Sequence, residues 1–191
     1  MIALGPYVVG CATLVVAGLA KTRRPQDTAR ALGVLIPRLP LRMGGYGVRV
    51  AAGFEAVLGC VAMVEPRPVL AGGVAASYLA FAGYVAFARS RGGVLASCGC
   101  FGTPDTPATR THVVVDLGLA AGAAAVAGAG PAGNLVTILG RQPLAGVPLL
   151  VLAGVGTALV IVTMTSLARL GSARALLSPR AAEGASRPPG P

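Results

Sequence analysis

The chain has 191 residues, of which 54% are hydrophobic and only 12% charged, against about a quarter charged in soluble domains. With 4% aromatic residues and no Trp, a water-soluble core would bury too little apolar area per residue to offset chain entropy, whereas in lipid abundant Gly and Ala let helices approach closely. The formal charge of +10 sits between apolar blocks and lacks interleaved aromatic residues, which excludes a nucleic-acid binder and fits membrane loops that follow the positive-inside rule.

Five apolar segments follow in order. Residues 2–20 carry no charge and stop at KTRRPQD; about twenty apolar residues are what a bilayer core requires. No basic segment precedes this run, so it reads as a retained helix rather than a signal peptide. Residues 48–64 form a shorter second span that contains Glu55, with a start that reaches back toward Gly44. Residues 69–88 are a third span, closed by Arg89 and Arg91. The fourth, 113–129, carries Asp116 near its start, with Thr111 or His112 as its cap, and the fifth is 144–168. The predicted fold is all-α, a polytopic membrane bundle of about five transmembrane helices over residues 1–170. Ser, Arg, Pro, Gly and Ala dominate residues 171–191, a composition that predicts a disordered tail.

Alternate loops differ in charge. Seven basic residues fall in 21–49 (Lys21, Arg23, Arg24, Arg30, Arg38, Arg42, Arg49), three in 89–110 and four from Arg169 onward. The other side holds only Arg67 and Arg141. Fourteen against two predicts the N-terminus outside and the C-terminus inside the cytoplasmic membrane.

Residues 96–105 read ASCGCFGTPD and lie on the basic side by this count. Structural thiols normally sit singly in apolar faces, as Cys11 and Cys60 do here, so two cysteines one residue apart ask for another reason. A disulfide across Cys98 and Cys100 closes a tight ring that is easily reduced, with Gly99 relaxing the backbone, which suits exchange. Alternatively the two thiolates, with His112 and Asp116, complete a four-ligand zinc site, or the pair braces the structure. Asp116 lies four residues after His112, on one helix face. Glu55 lies about 9 Å along its helix from Arg49. All five side chains are expected near one end of the bundle, with Cys98 and Cys100 as the redox pair. His112 would raise the thiolate fraction, and Glu55 and Asp116 would handle protons or hold helices together. No cofactor is predicted.

The run SCGCFG, a short linker with proline, and then HVVVDLGLAAG closely resemble the MauE family of methylamine-utilisation membrane proteins, relatives of the DoxX-like proteins. FEAVLG, with Glu55 four residues before Gly59, resembles that family's second-helix pattern. The resemblance covers about residues 1–130. It implies a four-helix core, here with one helix added, and Phe101 and Gly102 as shapers of the cysteine turn. It also implies a role in maturing the methylamine dehydrogenase small subunit or an analogous exported, disulfide-containing client, beside a thioredoxin-like partner of the MauD type. Two readings of other classes stand beside it: a non-catalytic membrane partner or chaperone that docks through the cysteine loop, and a small-solute or metal-handling protein using Glu55 and Asp116.

Overall fold

The computed structural model describes residues 4–35, 41–90, 109–129, 135–141 and 143–176. These form seven helices and, among the described residues, no strand: α1 (Leu4–Arg23), α2 (Pro25–Leu35), α3 (Leu41–Val64), α4 (Pro68–Ser90), α5 (Arg110–Gly128), α6 (Leu135–Arg141) and α7 (Pro143–Leu176). Five of them, α1, α3, α4, α5 and α7, are long and apolar enough to cross a membrane. The protein is a multi-pass membrane bundle, as the sequence predicts.

What surrounds the bundle is visible in which side chains face out. Val50, Phe54, Val57, Leu79, Val114, Leu117, Val151, Leu152 and Val155 are all exposed, while Thr13, Lys21, His112, Asp116 and Thr157 are buried. Polar groups inside and apolar groups outside is the arrangement a lipid solvent selects.

Helix α1 is the hub. Half of its spanning window is buried, against 17% for α7, and it packs on α3, α5 and α7. Its closest neighbour is α3, and two glycines set that distance. A Cβ on Gly18 would lie 2.6 Å from the Ala52 carbonyl oxygen and 2.9 Å from the Ala56 nitrogen. A Cβ on Gly59 would lie 2.8 Å from the Cys11 carbonyl oxygen. The helices therefore touch backbone to backbone at two levels, an approach only glycine permits. Two tyrosines tie helices across the core: Tyr7 donates to the Ala62 carbonyl at 2.8 Å, and Tyr78 to the Gly10 carbonyl at 2.6 Å. Antiparallel α4 and α5 pack extensively on each other, and α7 lies against α1.

The second span begins at Gly44, where the sequence reading let its start reach, which puts Glu55 near its middle. Three features differ from the sequence reading. Residues 25–35, read as loop, form helix α2, strongly amphipathic and packed on α3 with Pro25 and Ala29 buried. Its low apolar content hid it from a search for spans. A short α6 stands before the last span, whose helix continues through residues 171–176, the start of the expected tail. Residues 177–191 lie outside the described residues. Lys21, counted above as a loop charge, belongs to the last turn of α1 and is buried. Removing it from the loop count leaves the charge asymmetry standing.

Candidate functional site

A Cα–Cβ bond on a helix leans toward the N-terminus, so a lysine in the last turn of α1 points back along the helix into the bundle. Lys21 does this. Its Nζ donates to Glu55 Oε2 at 2.7 Å and sits 4.0 Å from the centroid of the Phe81 ring. The two side chains of the ion pair are 6% and 16% exposed. An ammonium removed from water thus gains a carboxylate from α3 and an aromatic face from α4, each worth more where water is scarce. Phe81 is itself held edge to face by Tyr78, with centroids 6.1 Å apart.

Helix α5 brings the other two ionisable groups. His112 and Asp116 are one turn apart and both buried, at 1% and 5% exposure. The N-cap of α5 is Thr109, not Thr111. Its backbone N–H donates to His112 Nδ1 at 3.3 Å, and its hydroxyl lies 2.8 Å from the same nitrogen. The ring so performs for the cap what Glu or Gln does in a capping box. Among the described residues, His112 Nε2 finds no hydrogen-bond partner.

Lys21, His112 and Asp116 line one buried cavity of about 20 Å³ together with Thr13, Tyr78, Phe81 and Met164. Of the expected constellation, His112 and Asp116 are side by side, and Glu55 joins them through Lys21. Cys98, Gly99, Cys100, Phe101 and Gly102 lie outside the described residues. The helices on either side, ending at Ser90 and starting at Arg110, bound that segment. Phe81, just past the middle of α4, and His112 of the first turn of α5 line the same cavity as Lys21, so α5 starts at that cavity and α4 runs on beyond it to Ser90.

Lys21 was missed as a site residue because a basic residue at a span boundary reads as a loop charge. The signal was present: a span with one internal acid needs a countercharge, and Lys21 is the basic residue nearest the end of the neighbouring apolar run. Of the zinc set, only His112 and Asp116 lie among the described residues, where no three His, Cys, Asp or Glu side chains gather as a metal set.

A family model described as methylamine utilisation protein MauE matches residues 1–130. The chain belongs to the MauE family. The match takes in α1 to α5 and so every ionisable side chain of the cavity, and it ends before α6 and α7. Neither curated proteins nor solved structures gave a match. The two single cysteines differ in setting: Cys11 is buried in the MauE core under Tyr7, and Cys60 is exposed on α3.

Proposed function

We propose that this MauE protein supports thiol–disulfide exchange in the maturation of an exported protein, with Cys98 and Cys100 as the exchanging pair. The observation that favours this reading is where the cysteine segment is anchored. The helix that follows it, α5, carries His112 and Asp116 into the cavity beside Lys21, and the helix that precedes it, α4, passes the same cavity at Phe81. The family match supplies the setting of methylamine utilisation; a client such as the methylamine dehydrogenase small subunit and a thioredoxin-like partner belong to the proposal.

The exchange needs no outside oxidant. A thiolate of Cys98 or Cys100 attacks a partner disulfide, one partner sulfur leaves as thiolate, and a mixed disulfide forms. The second cysteine attacks that bond, so the pair becomes a disulfide and the partner a dithiol, with two electrons passing to the partner. Run backwards, the same steps oxidise a partner. Lys21 and Glu55 hold α1 to α3, and His112 with Thr109 fixes the start of α5, the helix that follows the cysteine segment.

Partner trapping tests the reading. Cys98→Ala and Cys100→Ala chains should each accumulate reducible adducts on a gel, and client maturation should fail. No adduct from either variant, with maturation intact, sinks the redox role. Membrane-impermeant thiol labelling in intact cells reports the side. The charge asymmetry predicts protection of Cys98 and Cys100; labelling from outside overturns the orientation and places the pair on the client's side.

The transport alternative requires Glu55 or Asp116 and tolerates Ser at 98 and 100. Asp116 lines a cavity of about 20 Å³, enough for a water and too little for an organic solute, and Glu55 is paired with Lys21.

A further inference from the structure

His112 is the only histidine in the chain, and its tautomer follows from its cap. A backbone N–H can only donate, and that of Thr109 is directed at Nδ1 at 3.3 Å; we read Nδ1 as the acceptor on that ground, with the Thr109 hydroxyl at 2.8 Å as a second donor to it. In the neutral ring the proton is then on Nε2, the nitrogen for which the described residues provide no acceptor. A buried N–H without a partner costs about 1 to 3 kcal/mol, so native structures rarely leave one. Asp116 stands one turn further on the same face and lines the same cavity, yet makes no direct bond to Nε2. The cavity that both residues line measures about 20 Å³, just above the roughly 10 to 15 Å³ that one water needs. Its walls hold the two to four polar partners that a buried water requires. Besides His112 and Asp116 these are Lys21 and the hydroxyls of Tyr78 and Thr13, whose protons go to Gly10 and Val9 carbonyls, leaving their oxygens free to accept.

We infer that this cavity is a binding site for one water molecule, which accepts the His112 Nε2–H and donates to the Asp116 carboxyl group. The ligand class is set by volume and polarity together: an apolar void of this size stays dry, and nothing larger than water fits. The water completes one hydrogen-bonded chain from Thr109 through His112 to Asp116. It thereby joins the first two turns of α5 to the wall formed by Lys21 and Tyr78. The inference is independent of the exchange reading, because none of its atoms belongs to residues 91–108.

A single histidine makes the test direct. Full-length protein with ¹⁵N-labelled histidine in lipid nanodiscs gives the two ring-nitrogen signals of one imidazole. The expected spectrum shows Nε2 protonated, Nδ1 bare, and a magnetisation-transfer peak from water to the Nε2 proton. Asp116→Leu should abolish that peak while the tautomer stays, and Asp116→Asn should keep it. Three results overturn the site: an Nδ1-protonated ring, a ring proton whose transfer partner is a protein group, including any from residues 91–108, or a water peak unchanged in Asp116→Leu. The wild-type spectrum alone decides the first two, so a variant that fails to fold leaves the inference open to refutation. Trapping results with the Cys98 and Cys100 variants bear only on the exchange reading, so the two fail separately.

Discussion

Where α1 meets α3 two backbones touch, and where α7 meets α1 a side chain stands between. A Cβ on Gly156 of α7 would lie 2.9 Å from Val9 Cγ2, a side-chain contact that a small shift relieves. Gly18 faces a carbonyl oxygen that cannot move without moving its helix. The contrast runs through the rest of the molecule. The α1–α3 pair holds the buried ion pair and lies inside the family match; α7 lies outside it, buries little and contributes Met164 to the cavity wall. Polar groups in lipid need a close, rigid setting, and the chain supplies it with small residues rather than large ones.

Substitutions should expose this difference in order. Gly18→Leu pushes α1 off α3 and separates Lys21 from Glu55, so a loss of about 3 kcal/mol or more is expected, read as the fraction folded in a detergent titration. A loss under about 1 kcal/mol would mean the two helices are not in backbone contact. Glu55→Leu strands the Lys21 ammonium and should cost about 2 kcal/mol or more. Adding Lys21→Met should recover most of that, because an apolar pair tolerates this site better than half an ion pair. If the double variant is as unstable as the single, the pair is not what the site depends on. His112→Ala removes the acceptor for the Thr109 N–H and should cost about 1 kcal/mol, with the loss confined to early amide exchange at the start of α5. Gly154→Ala on α7 is the control: nothing lies within 4 Å of the new Cβ, and the change should stay within about 0.5 kcal/mol. A large loss there would erase the contrast.

The five crossing helices were legible because about twenty apolar residues between charges admit one reading in lipid. Helix α2 was not, since Pro25, Gln26, Asp27 and Arg30 resemble any basic loop until its buried face is seen on α3. His112 and Asp116 were placed on one face by spacing alone, and they share it. Glu55 was recognised as an acid that needed a reason, but its partner was hidden. Charge counting assigns a residue at a span boundary to water, while the lean of a side chain along its helix decides whether Lys21 points out or in. Tyr78 and Thr13 carried no sequence signal, because a tyrosine or threonine in an apolar run looks the same whether it faces lipid or a cavity.

The Lys21–Glu55 pair also bears on how the chain enters the membrane. Lys21 precedes Glu55 by 34 residues, so α1 is in place with its ammonium waiting when α3 reaches the translocon. A carboxylate near mid-helix penalises insertion by roughly 2.5 to 3.5 kcal/mol if it enters alone, taking an acidic residue at the helix centre as the guide. Synthesis order thus makes the first span a chaperone for the second, and a chain in which α1 were delayed would leave α3 the hardest helix to insert.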